Sequence, residues 1–220
     1  MTTIAADLHV HTSASPCASR AMTPAAIAAE CARRGLGLIA VCDHNTAAAA
    51  QPVMDAASAV EDGPVVIAGI EITTREEAHV LGWFPSAEDA GAAAAELGVD
   101  PMLESAAADC TLSQAVDLIH RHGGLAAAAH VDRRSFSVPG QLGFIPAEVP
   151  FDALEISAAG AERGRAAAFA AHGLPLVSSS DSHCLEDLGS GCTLLEVEAP
   201  GFDELARALG RREGRGCVIA

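Results

Sequence analysis

The sequence predicts an α/β protein with a mainly parallel sheet. Short apolar runs alternate with helical stretches along the chain. Most of these runs are near-continuously apolar, as strands buried on both faces are, and there are about seven, a number that suits a barrel. No G-x-G-x-x-G follows the first run, so a dinucleotide-binding sheet is unsupported.

The elements follow in order. ADLHVH (6–11) reads as the first strand. In TPAAIAAECARRG, Thr23 can cap a helix, Pro24 suits its first turn and Gly35 can end it. LGLIAVCDH (36–44) leads through an Ala-rich helical segment to PVVIAGIEIT (64–73), and HVLGWF (79–84) follows closely enough to pair back on it. Residues 85–110, rich in Ala and acids, have the weakest pattern and read as a loop, lid or short helical excursion within a single domain spanning 1–220. A helix in TLSQAVDLIHRHGG then precedes LAAAAH (125–130). ALEIS (153–157), a helix in AERGRAAAFAAHG and PLVSSSDSH (175–183) come next. The tail adds CTLLEVEA (192–199), a helix from Phe202 to about Arg212, and a short CVIA end.

Composition narrows the function. Every cation is Arg, since the chain has no Lys, and the net charge is −16. That balance argues against an extended nucleic-acid surface and so favours a small phosphorylated substrate, and it does not exclude an anion, because bound divalent cations can reverse the local field. Seven cysteines without framework spacing read as reduced thiols. MTTIAADLHVH lacks the charged and apolar regions of a signal peptide, and no apolar run approaches membrane-spanning length. The expectation is a cytoplasmic protein without a membrane partner; oligomeric state is left open.

The polar residues fall where sites are built. Asp7, His9 and His11 occupy alternate positions, which share one face of a strand. His44, Glu71, His130 and the Asp181/His183 pair lie at or near the carboxyl ends of proposed strands, while His79 opens a strand that runs back. A mixed His/Asp/Glu set suits catalytic zinc, manganese or iron. It is too large for one ion, so two or three divalent metal ions are expected, with Glu71 able to bridge. Two-metal sites suit displacement at phosphorus. Arg133, three residues past His130, is the candidate phosphate clamp, with Arg134 as its competitor. Asp43 and Glu155 are weaker candidates, and Asp7 reads either as orienting a ligand or as a buried polar group. His120, His122 and His172 close helices that end at Gly and read as structural, favoured there by the helix dipole. Cys31, Cys42, Cys110, Cys184, Cys192 and Cys217 read as small apolar fillers.

DLHVHT (7–12), CDHNT (42–46), GIEIT (69–73), the AAH of 128–130 and SSDSH (179–183) resemble, in order, the motifs of the PHP superfamily, named for polymerase and histidinol phosphatase. The resemblance runs from residue 7 to about residue 200. It implies a distorted seven-stranded (β/α)7 barrel with a multinuclear metal site at the carboxyl ends of its strands. Carried over by position, it implies that His9, His11, Glu71 and Asp181 hold a first metal, that Glu71 bridges to a second held by His79 and His130, and that His44 and His183 serve a third. Pro16 and Cys17 stand where many members have Asp or His, so Cys17 is either a thiolate ligand or a small packing residue. The SPCA, HVDR and LGFIP segments are similar to those of small stand-alone members.

The expected activity is therefore metal-dependent phosphoesterase action on a small phosphorylated metabolite or nucleotide by water activated on the metals. In it Glu71 and Asp181 organise the centre, Arg133 stabilises the phosphoryl group and His183 assists the leaving alkoxide. The alternatives are a metal-dependent amidohydrolase acting at carbon, disfavoured by the absence of a lysine to carboxylate, and a non-catalytic metal-stabilised scaffold.

Overall fold

Nine strands form one sheet in the computed structural model, which describes residues 1–100 and 107–220. They are β1 (Thr2–Val10), β2 (Leu38–Val41), β3 (Val65–Thr73), β4 (His79–Phe84), β5 (Leu125–Ala128), β6 (Ala153–Ser157), β7 (Leu176–Ser179), β8 (Thr193–Val197) and β9 (Gly216–Ile219). Their order is β7-β6-β5-β4-β3-β2-β1-β8-β9. β1, β2 and β3 pair in parallel, as do β5, β6 and β7, and β4 runs antiparallel between the two sets. His79 stands opposite Thr73, so the start of β4 lies at the same end as the carboxyl ends of the parallel strands.

Seven strands were expected, and the difference lies at the seam between first and last. At the carboxyl end Val10 bridges Ser182 in parallel, and His11 N donates to Ser182 O at 3.1 Å, so the segment after β7 closes onto β1. At the opposite end β8 pairs antiparallel with Thr2–Ala6, and β9 lines its far edge. Thr193 Oγ ties β8 to β7, accepting from Ser178 N and donating to Ser178 O, each at 2.9 Å. The seven-stranded barrel is thus nearly closed at the site end and wedged apart below by the tail, which reads in sequence as an appendage.

The narrow interior explains the Ala-rich strands. Ala6, Leu8, Leu38, Ala40, Ala127 and Ala153 pack there around Trp83, the only Trp in the chain. Trp83 Nε1 donates across the barrel to Leu8 O at 2.9 Å, and this satisfies an indole that would otherwise be buried without a partner.

Helices cover the outside. In α1 (Pro24–Arg34) Thr23 Oγ accepts from Ala26 N, Gly35 ends the helix at φ +71°, and Ile27, Ala28 and Cys31 are buried. α2 (Ala50–Ser58) follows β2. α3 (Ala87–Leu97) buries Ala90, Ala93 and Leu97 in the outer core shared with β3 and β4. It occupies part of the 85–110 stretch, of which residues 101–106 lie outside the described ones. α4 (Leu112–Arg121) has a Thr111/Gln114 capping box and buries Leu112, Ala115, Val116 and Ile119, the spacing of one helix face. α5 (Val138–Leu142) lies in the loop between β5 and β6. The single helix expected at 161–173 is instead the short α6 (Ala158–Glu162) and a 3₁₀ stretch, Arg165–His172, because Gly164 adopts φ +68° and breaks the run. α7 (Phe202–Leu209) stops at Gly210, short of Arg212. No helix of the described residues is long and apolar enough to cross a membrane.

Candidate metal centre

A bulge decides which residues of β1 face the barrel mouth. The register runs Ala6–Leu38 and Asp7–Ile39, then jumps to Val10–Val41, so Leu8 and His9 together stand opposite Ala40. The extra residue breaks the strict alternation, and the expectation that Asp7 shares a face with both histidines is corrected. Asp7 instead accepts from Ser180 N at 3.0 Å, Ser180 Oγ at 2.6 Å and Gly189 N at 2.8 Å, anchoring the loop that carries Asp181. Burial pushes its carboxyl up to about 6, against the pull of the Ser180 and Gly189 donors.

His9, His11, Glu71 and Asp181 converge. His9 Nε2 lies 3.1 Å from His11 Nε2, 3.3 Å from Asp181 Oδ1 and 3.5 Å from Glu71 Oε1. His11 Nε2 is 3.1 Å from Asp181 Oδ1 and 3.4 Å from Glu71 Oε2. Ligands ~2.1 Å from a tetrahedral ion stand ~3.4 Å from one another, so these spacings are those of a ligand shell.

The hydrogen bonds behind the rings sharpen this. Ser15 Oγ donates to Asp43 Oδ1 at 2.6 Å, so its contact with His11 Nδ1 at 3.1 Å is one in which the ring donates. His9 Nδ1 likewise donates to Glu155, whose oxygens lie 3.2 and 3.1 Å away. With both Nδ1 atoms protonated, each neutral ring turns an Nε2 lone pair toward the other and toward two carboxylates. Only positive charge, a proton or a metal ion, can occupy that point. Burial raises Glu71 and Asp181, yet His79, His9 and His44 around Glu71, and His9 and His11 around Asp181, hold both well below the usual carboxylate range. This donor set fits a divalent metal.

Glu71 serves a second group. His79 Nδ1 lies 2.6 Å and His130 Nε2 3.2 Å from Glu71 Oε1, and His44 Nδ1 lies 3.0 Å from Oε2. Even so, Glu71 Oε2, His79 Nδ1 and His130 Nδ1 are buried polar atoms with no aligned hydrogen-bond partner, as metal donors are when the metal is left out of account. His44, Glu71 and His79 could hold a second ion, and His11, His44 and His183 a third. His44 therefore stands between two groups, whereas the resemblance implied it for the third ion alone; His130 reaches Glu71 but completes neither group. His130 and Asp181 adopt φ +29° and +52°, values uncommon for non-glycine residues.

Arg133 and Cys17 lie at the rim. Arg133 Nη1 donates to Asp181 Oδ2 at 2.6 Å with 40% of the Arg133 side chain exposed. A cavity of about 270 Å³ is lined by Cys17, His44, Glu71, His79, Arg133 and His183, among others. Burial raises the Cys17 thiol, but the His183 and His44 imidazoles beside it bring it down to about 6. In metal-stripped protein, alkylation of Cys17 by iodoacetamide should therefore rise with a midpoint near pH 6, while Cys31 and Cys192, pushed up to about 12 by burial, stay unreactive at neutral pH. Peptide mass spectrometry across pH would read this; a Cys17 midpoint near an ordinary thiol value would refute it.

Other residues take structural places. His120 pairs with Asp152 at 2.8 Å and His122 with Glu96 at 2.8 Å, each at the end of α4. Asp43, besides Ser15, accepts from Thr12 N and Oγ at 2.8 and 2.7 Å. Ser15 and Phe136 escape sequence reading. Phe136 stacks on His79 with centroids 4.9 Å apart, and its carbonyl accepts from His79 N at 2.9 Å. Only the place of Ser15, four residues past His11, hinted at a role.

The comparisons agree with this fold. The family model described as PHP-associated matches residues 160–213, the segment that contributes Asp181 and His183. None of the curated proteins matches. The lesion-specific endonuclease PfuEndoQ from Pyrococcus furiosus superposes with a TM-score of 0.80 at 20% identity, covering 98% of this chain and 58% of its own. A two-domain protein from Bacteroides vulgatus containing a predicted PHP-like metal-dependent phosphoesterase matches with a TM-score of 0.63 at 16% identity, covering 99% of this chain and 65% of its own. An amidohydrolase from Chromobacterium violaceum, with bound sulfate and no metal, gives 0.63 at 19% identity over 84% of this chain and 89% of its own. The chain thus spans less than two thirds of the first two proteins, and identities this low speak to fold.

One expectation about partners is corrected here. A structure of Endonuclease Q, matched with a TM-score of 0.78 at 20% identity over 98% of this chain and 58% of its own, holds a 27-mer duplex with an abasic lesion at the active site. Reading the acidic composition as leaving no extended nucleic-acid surface, and so only a small substrate, conflicts with that finding. Net charge is a sum over the whole molecule, whereas a strand meets the local field at a site.

Proposed function

We propose that this PHP-fold chain is a metal-dependent phosphoesterase acting at the His9–His11–Glu71–Asp181 centre, with nucleic-acid esters among its substrates. The observation that carries the reading is the shared carboxylate: Glu71 contributes donors to two adjoining groups, the arrangement of a two-metal hydrolytic site. Two or three zinc, manganese or iron ions, held by His9, His11, His44, Glu71, His79, His130, Asp181 and His183, would supply Lewis-acid polarisation of the ester and acidification of water.

The chain's own residues do the rest. Arg133 leaves its contact with Asp181 to grip two phosphoryl oxygens with its planar fork, which stabilises the charge that grows on them. His183 Nδ1 donates to Asp181 O at 2.9 Å, which leaves Nε2 either to bind a third ion or, with only two ions held, to hold a proton for the departing oxygen. Glu155 and Ser15 keep His9 and His11 in the tautomers that bind cations. Cys17, which lines the same cavity as His44 and His183, would present a thiolate beside the third group.

The amidohydrolase likeness gives a second reading, hydrolysis at carbon. The exposed guanidinium beside the carboxylate cluster favours phosphorus, since its planar fork matches phosphate oxygens. Metal analysis and a turnover panel decide between them. The panel should include nucleotides, sugar phosphates, histidinol phosphate, single-stranded and duplex DNA with and without an abasic site, and amides and lactams. Turnover of phosphate esters by metal-loaded protein is expected. Full metal loading with no ester cleaved would sink the proposal, and hydrolysis of amides alone would replace it.

A further inference from the structure

A second cavity, of about 610 Å³, adjoins the catalytic one and shares Arg133 with it. Arg134, Arg165 and Phe169 also line it, Arg134 from the loop after β5 and the others from the 3₁₀ stretch. Its composition is unusual for this chain, in which 29 acidic residues face 13 arginines. Arg33, Arg34, Arg75, Arg121, Arg207 and Arg215 all pair with carboxylates. Arg134 and Arg165 pair with none among the described residues, as is also true of Arg20, Arg163, Arg211 and Arg212, but these two stand together in one cavity beside Arg133; Arg165 makes one bond of 3.3 Å, from Nη1 to Asp132 O. The acid in this cavity, Asp132, spends both oxygens on Ser157 N and Oγ, each at 2.8 Å.

Unpaired guanidiniums gathered beside a phosphate site, in a protein with acids to spare, point to an anion from outside. We infer that this cavity binds a second phosphate of a nucleic-acid strand, placing the neighbouring phosphodiester at the metal centre for hydrolysis. The inference rests on the phosphoesterase reading and gives it a substrate class. Water adds its oxygen to phosphorus as the P–O bond to the sugar breaks, and one water proton goes to the departing sugar oxygen. Aromatic faces for bases stand near both cavities: Phe169 in the wall of the second and Phe136, 42% exposed, at the rim of the first.

The test pairs binding with turnover. A fluorescein-labelled single-stranded oligonucleotide of about six nucleotides is titrated against metal-loaded protein by anisotropy at several salt concentrations. R134A/R165A should bind at least about tenfold more weakly, with the salt slope reduced by about one per arginine. Its kcat/KM on the oligonucleotide should fall through KM, while kcat/KM on a nucleoside monophosphate stays within about twofold of wild type. R134K/R165K should keep part of the binding. R211A/R212A, which removes equal charge from the tail, should keep all of it, and circular dichroism checks that each variant is folded. Equal losses on both substrates, or an equal loss in R211A/R212A, would overturn the inference. If wild type binds no oligonucleotide yet hydrolyses other phosphate esters, the strand subsite falls and the phosphoesterase reading stands. Arginine-dependent oligonucleotide binding without ester hydrolysis would do the reverse.

Discussion

Replacing Glu71 by Gln should lower kcat by about three orders of magnitude, about 4 kcal/mol of barrier, and strip most of the bound metal. Glu71 is 1% exposed and lies within 3.5 Å of ring nitrogens from His9, His11, His44, His79 and His130. The amide keeps the shape but removes the charge that two groups share, and its NH₂ would face imidazole nitrogens meant for a cation. Metal content by plasma mass spectrometry and kcat on the best panel substrate would check this. Retention of both would mean that Glu71 does not bridge. A stability signature should accompany the loss. The Glu71 carboxyl sits well below its ordinary value of 4.5 when folded, so the stability it contributes is present above that value and is lost as pH falls. Metal-free Glu71→Gln should therefore show a flatter acid limb in urea unfolding than metal-free wild type.

Glu155→Gln should lower metal affinity by about 10- to 100-fold, the range found when a group that orients a ligand is removed. Glu155 touches no proposed ion. It accepts from His9 Nδ1 and, through Oε2 at 2.9 Å, from His130 N, so one carboxylate fixes the tautomer of one histidine and the backbone of another. An amide offers one acceptor where two donors arrive, and its NH₂ would drive the His9 ring to present Nε2–H to the centre. Isothermal titration with zinc or manganese would measure the change. Unaltered affinity with altered kcat would show that Glu155 acts on substrate and not on the histidines.

Glu155 also shows what was legible in the sequence and what was not. The parallel strands, their carboxyl ends and the convergence of His9, His11, His44, Glu71, His79, His130, Asp181 and His183 could all be read from spacing and order, because strand direction alone brings those residues to one rim. What was not legible depends on register or on distant contacts. Asp7 obeys the alternation of β1 only if the strand is regular, and the bulge at Leu8 and His9 undoes it. Ser15 orders His11 and Asp43 through side-chain bonds that no periodicity encodes. The tail strands read as an addition, yet they occupy the seam of the barrel. The partner expectation conflicts with the duplex held by a similar fold because net charge sums over the whole molecule, whereas a strand meets the local field.

That seam bears on how the centre comes into being. His11 and Asp181 meet at 3.1 Å across 170 residues of chain, and the Val10–Ser182 bridge joins the same two segments. Contacts of such sequence separation form late, since loop closure costs entropy before it is rewarded. During synthesis His44, Glu71 and His79 leave the ribosome long before Asp181 and His183. A nascent chain can thus offer one group of donors while the tetrahedral one is still missing a corner. The His9–His11–Glu71–Asp181 group is thus completed only when the segment after β7 closes onto β1.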